Sequence, residues 1–108
     1  MNIGQITKMA QQLQSQMAQA QEELKQTTLE ASAGGGAVRI VITGAQEVRS
    51  VEIDPSAVDP DEVDMLQDLV MTAMNEAISR SKELERERMA GIAGGMGLPG
   101  MPGLPGLG

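Results

Sequence analysis

The 108-residue chain has no cysteine, no histidine and no aromatic residue. Lacking the first two, it has no disulfides, no thiolate or imidazole chemistry and no zinc site of the usual nitrogen and sulfur kind. Lacking Phe, Tyr and Trp, it offers no ring for bases to stack on, which argues against a platform for single-stranded nucleic acid. The core falls to Leu, Ile, Val, Ala and nine Met, which pack flexibly. No apolar run approaches the roughly 20 residues of a membrane span, and the opening MNIGQITKMAQQ turns polar too early for a signal peptide. Positive charge is scarce: 8 Lys and Arg stand against 15 Asp and Glu, a net charge of −7. Such a surface repels polyanions over most of its area. The expectation is a cytoplasmic protein with no cofactor, no metal, no membrane contact and no small-molecule substrate.

What is present is periodic. Through about residues 4–27, rich in Gln, Glu, Ala and Met, and counting Ile3 just before them, an apolar stripe runs Ile3, Ile6, Ala10, Leu13, Met17, Ala20 and Leu24. Their alternating steps of three and four are the spacing of a coiled-coil seam. A helix of some 22 residues within it reaches about 33 Å, too long to be covered by the rest of so small a chain. Three short runs follow. TLEASA, AVRIVIT and VRSVEI alternate or are β-branched, and predict a three-stranded antiparallel meander with one drier face. Val38, Ile40 and Ile42 share one side of the second strand, with Arg39, Val41 and Thr43 on the other. Asp59 fits a helix N-cap, Pro60 the first helical position, and Asp61 and Glu62 the first turn. That helix is predicted to run to about Met89 on a stripe of Leu66, Leu69/Val70, Ala73, Ala77, Ile78, Ser81 and Leu84. From Gly91 glycine recurs at every third position through Gly106. This is the collagen period, but six triplets are too few to hold a triple helix. The reading is one α+β domain over residues 1–90, ordered α-β-β-β-α, and a flexible Gly/Pro/Met-rich tail over 91–108. Two long apolar stripes exceed what one three-stranded sheet can bury. A homodimer is therefore expected, with Ile6, Leu13, Met17, Leu24, Leu69 and Ala73 at its interface.

Enzymatic leads are few. Gly34-Gly35-Gly36 invites a phosphate-loop reading, but a strand follows where that loop needs Gly-Lys-Ser/Thr and a helix. Strands on both sides make it a hairpin turn. The acids from Asp54 to Asp64 lack the central glycine of a calcium loop, and helix capping accounts for them. Ser81 and Lys82 are adjacent on a helix and point apart, so no nucleophile–base pair remains and no catalysis is expected. The methionines fit core gaps better than a promiscuous groove. Among the cations, Arg80, Lys82, Arg86 and Arg88 cluster at the end of the second helix. Spacing offers them the partners Glu76–Arg80, Lys82–Glu85, Glu83–Arg86 and Glu85–Arg88.

The strings KMAQQLQSQMAQAQEEL, GGGAVRIVITGAQEVRSVEIDPS and DLVMTAMNEAISRSKEL, in this order, resemble the YbaB/EbfC family of bacterial nucleoid-associated proteins over about residues 4–90. The run 34–56, with V-x-I-D-P-S as its signature, is the most specific part. The resemblance implies a dimer whose helices project like the arms of tweezers. It also implies binding to double-stranded DNA with limited sequence preference, a nucleoid location, and a role in nucleoid organisation or gene expression. Family members often carry several lysines along the first helix. Here Ser15, Gln16, Gln19 and Gln21 take much of that face, leaving Lys8 and Lys25. With DNA as partner, the contacts fall to Lys8, Lys25, Arg80, Lys82, Arg86 and Arg88, and the binding expected is modest and strongly salt-dependent. The alternative is an acidic dimeric adaptor that docks partner proteins through the seam 6–24 or the tail, with little affinity for DNA.

Overall fold

The computed structural model describes residues 2–95. The chain runs α1 (Ile3–Gln26), β1 (Thr28–Ala33), β2 (Val38–Thr43), β3 (Val48–Ile53), a 3-10 turn (Pro55–Ala57) and α2 (Val63–Gly95). This is the α-β-β-β-α order that the sequence pattern predicts. The strands form one antiparallel sheet in the order β1-β2-β3. Ala31 pairs with Ile40, and Ile40 with Val51; the β2–β3 register shifts between Val41 and Ile42.

α1 starts with a capping box that the sequence reading did not include. The Asn2 side chain accepts from the Gln5 amide at 2.8 Å, and the Gln5 side chain returns to the Asn2 amide. A single residue, Thr27, then leads into β1. The three glycines form the turn between β1 and β2, with φ of 65°, 67° and 95°. Only glycine adopts such values at little steric expense.

α2 lies across β1 and β2. Ala73 and Ala77 are fully buried against Ala31, Val38, Ile40 and Ile42, with Leu29, Leu66, Leu69, Val70, Met74 and Ile78 around them. Alanine on the contact face lets the helix axis approach the sheet closely, so aliphatic side chains fill the layer without any ring. The opposite face is polar. Arg39 stands between Glu30 and Glu52 there, in a charged row across all three strands. Thr43, assigned by alternation to that wet face, is instead fully buried, because the β2–β3 turn tucks beneath the end of α1 and against α2.

Both ends of α2 differ from the expectation. Asp59 accepts from the Asp61 amide at 2.9 Å, and its carbonyl accepts from Glu62, also at 2.9 Å. This closes a separate turn, and the helix begins only at Val63. At its other end α2 continues past Met89 to Gly95, where order was expected to fail. Ile92 and Ala93 are half-buried, and Ile92 lines a groove shared with Gln16, Gln19 and Glu23 of α1. This contact offsets the roughly 1 kcal/mol that each helical glycine costs. The rest of the predicted tail, residues 96–108, lies outside the described residues.

Candidate nucleic-acid interface

The two helices run antiparallel. Leu24 and Leu84 meet beside Gly44, Arg88 pairs with Glu23, and Gln16 shares a groove with Ile92. From Leu13 to Leu24 the apolar seam of α1 therefore lies along α2 of the same chain. The first part of α1 extends past the last described turn of α2, and Ile3 and Ile6 are 82% and 52% exposed.

A polar knot fixes this arrangement at its base. The buried Ser81 hydroxyl donates to the Thr43 carbonyl at 2.6 Å. It accepts from the Gln46 amide at 3.2 Å and from the Gln46 side chain at 3.0 Å. Gln46 holds φ at 60°, the only non-glycine residue with positive φ among those described. The Gly44 amide donates to the Leu24 and Thr27 carbonyls, both at 3.0 Å, satisfying the end of α1. A Cβ at Gly44 would stand 2.6 Å from Leu24 Cδ2 and 3.2 Å from the Leu24 carbonyl oxygen, so only glycine allows the turn this close to the helix.

The six cations assigned to DNA are not gathered into one patch. Lys8 lies on the free part of α1, in a shallow groove with Gln5, Met9 and Gln12. Lys25 pairs with Glu22 at 3.8 Å. The Arg80 guanidinium donates to the Glu30 carbonyl on β1. Arg86 pairs with Glu83, and Arg88 with Glu23 across the helix pair. Lys82 is exposed beside Met17, Gln21 and Glu85. Among the described residues, only Lys8 and Lys82 of the six have neither a carboxylate within ion-pair distance nor a side-chain hydrogen bond. Of the four pairs offered by spacing, only Glu83–Arg86 forms. Nor is the Arg80–Arg88 cluster a helix end, since α2 continues beyond it. The side chains of these pairs are between 47% and 70% exposed and each pair contributes about 0–1 kcal/mol, so phosphate can displace the carboxylates.

The residues assigned to a dimer divide in the same way. Leu24 and Ala73 are buried within the protomer, and Leu69 packs against its core. Leu13 and Met17 line the intramolecular seam, while Ile6 lies beyond it. These six therefore do not form one free face. A different surface does. On β3, Val48, Val51 and Ile53 remain 39%, 46% and 38% exposed, although Val51 and Ile53 pair with the buried Ile40 and Val38 and so point to the side of the sheet that α2 covers. Val70, Met74, Ile78 and Ser81 form one stripe of α2 at steps of four, four and three. Ser81 meets the β2–β3 turn, so this stripe lies on the β3 side of the helix. Leu66, Val70, Met71 and Met74 line an apolar groove there. Its signal in the sequence was the apolar alternation of β3, which one helix cannot cover together with β1 and β2.

Asp54, within the D-P-S signature, accepts from the Ser56 amide and hydroxyl, both at 2.9 Å. The amide first, and the hydroxyl second, hold its carboxyl below its ordinary value. The most family-specific string thus caps a 3-10 turn. Among the described residues no group of three or more metal-ligating side chains lies together, and no helix is long and apolar enough to cross a membrane.

The model of the YbaB/EbfC DNA-binding family matches residues 1–96. A nucleoid-associated protein of Acetivibrio thermocellus is 48% identical over 95 residues, spanning 88% of this chain and 84% of the relative. One from Chloroflexus aurantiacus is 48% identical over 96 residues, spanning 89% and 96%. An uncharacterized protein of Helicobacter pylori of known crystal structure shares the fold, with a TM-score of 0.73 at 24% identity over 83% of this chain and 94% of that one.

Proposed function

Because the chain belongs to the YbaB/EbfC DNA-binding family, we propose that it binds double-stranded DNA as a homodimer and organises the nucleoid or regulates gene expression there. It carries out no catalytic step. The observation that carries this reading is the family match over residues 1–96, joined by relatives that bear the name nucleoid-associated protein at 48% identity. The adaptor alternative draws no comparable support.

The second protomer seats on the apolar face of β3 and α2, where Val48, Val51, Ile53 and Met71 are exposed beside the half-buried Val70 and Met74. Burying such a face stabilises by about 25 cal/mol per Å², and pairing also covers the open edge of β3. Phosphates are met first by Lys8 and Lys82. Arg86, Arg88 and Lys25 contribute only by exchanging a carboxylate for a phosphate, and Arg80 by leaving the Glu30 carbonyl.

A gel shift on duplex DNA at low and moderate salt tests the reading, with the protein sized as a dimer beforehand. Retardation at low salt is expected, and its absence sinks the proposal. Replacing Arg80, Lys82, Arg86 and Arg88 together by Gln weakens binding uniformly across sequences and reduces the salt slope. An unchanged slope removes these four from the interface.

A further inference from the structure

The acidic charge of this protein is confined to one stretch. All fifteen carboxylates and seven of the eight cations lie within residues 22–88, which carry a net charge of −8. The first 21 residues contain no acid and one cation, Lys8. They are also the residues that α1 extends away from the sheet, partly beyond α2. A polyanion approaching the molecule is repelled by the net charge of residues 22–88 and meets no carboxylate along this stretch.

This part of α1 carries a second stripe. Gln5, Lys8, Gln12, Ser15 and Gln19 follow one another at steps of three, four, three and four, and all are exposed. The stripe is offset by two residues from the apolar seam, a rotation of about 200°, so it lies on the side of α1 away from the seam, with Gln19 at its end bordering the groove shared with Ile92. Its groups are mainly side-chain amides. An amide both donates and accepts, and glutamine matches the N6 and N7 positions of adenine in the major groove, which is wide enough to admit a helix.

We propose that α1 contacts duplex DNA through this glutamine stripe, reading adenine edges in the major groove, with Lys8 as its single phosphate anchor. The inference rests on the DNA-binding reading above. It changes the expected energetics, because amides release no counterions. With Lys8 and Lys82 on each of two protomers, log affinity falls against log salt with a slope of about −4 or shallower.

The test is fluorescence anisotropy of the full-length protein on labelled duplexes of equal length, one A·T-rich and one G·C-rich, over a salt series. Three proteins are compared: the parent, Gln5→Ala/Gln12→Ala/Gln19→Ala, and Lys8→Gln. Alanine is a good helix former, but Gln5→Ala also removes the Gln5 half of the α1 capping box, so circular dichroism checks that the helix is kept. The parent is expected to favour the A·T-rich duplex, the triple variant to lose that preference and bind about tenfold or more weakly with an unchanged slope. Lys8→Gln is expected to keep the preference and reduce the slope by about two for a dimer. If the triple variant binds both duplexes as the parent does, the stripe is no DNA contact while the DNA-binding reading stands. If it instead dissociates in sedimentation without change in DNA binding, the stripe serves protein pairing and the inference falls. If the parent binds neither duplex, both readings fall together.

Discussion

Ser81 uses its whole hydrogen-bonding capacity at one buried point: one donor to Thr43 and both lone pairs to Gln46. Ser81→Ala leaves the Thr43 carbonyl and two nitrogens of Gln46 without this partner, in a site nearly closed to water. Because the Gln46 amide keeps the Thr43 carbonyl and the Gln46 side chain keeps the Gly44 carbonyl, the expected loss of stability is about 1–2 kcal/mol, measured as a lower urea midpoint with an unchanged m-value. At Asp54 the prediction concerns pH. A carboxyl held below its ordinary value near 3.8 adds stability that is fully present above that pH and is lost as pH falls through the folded value. Ser56→Ala returns the Asp54 carboxyl upward. An NMR titration of its carboxyl carbon should record the rise, and stability at neutral pH should fall slightly, because the bond lost is one to the charged carboxylate. No spacing rule locates Ser81 as a hub, since a serine within an apolar stripe reads as a tolerated interruption. Its role arises from a turn 35 residues earlier in the chain.

At the level of elements, α1 is one helix with two environments. From Leu13 onward it lies along α2; before that it stands largely free. Backbone amides in residues 3–12 should therefore exchange with deuterium orders of magnitude faster than those in 17–24, although both belong to the same capped helix. Uniform protection along α1 contradicts this division. The helix itself was legible, because a three-four stripe over seven positions admits little else. Its partner was not. The same stripe serves a helix of its own chain or of another, and Ile6 and Leu24 look alike until the turn at Gly44 brings Leu84 to one of them. The strands were legible from their alternation to within one residue, β2 starting at Val38 where Ala37 was expected, and Thr43 is buried by a turn that alternation does not describe. Among the ion pairs, Glu83–Arg86 follows from helical spacing. Arg88–Glu23 does not, since it spans 65 positions and depends on how two helices lie together. The extension of α2 to Gly95 was hidden by glycine content, which lowers helix propensity but does not outweigh the contact of Ile92 with α1.

As a whole the molecule is long and thin, with extents of 70 × 28 × 16 Å, and its single sheet is covered on one side over two of three strands. The uncovered β3–α2 face gives a sharp prediction about mass. Val51→Lys/Met74→Lys should reduce the species in sedimentation from a dimer to the 11.4 kDa chain while leaving the circular dichroism of the protomer intact, because neither side chain is part of the fully buried core. A variant that remains dimeric places the second protomer elsewhere. The base of α1 bears on how such a dimer would hold DNA. The 24 residues of α1 make a rod of about 36 Å, joined to the sheet through Thr27 and steadied by the bonds of Gly44 to Leu24 and Thr27. A tilt of about 10° at that base swings the far end by about 6 Å, roughly half the width of a major groove. In that dimer the calibre of the grip would be set at the foot of α1, by a turn in which a Cβ at Gly44 would collide with Leu24.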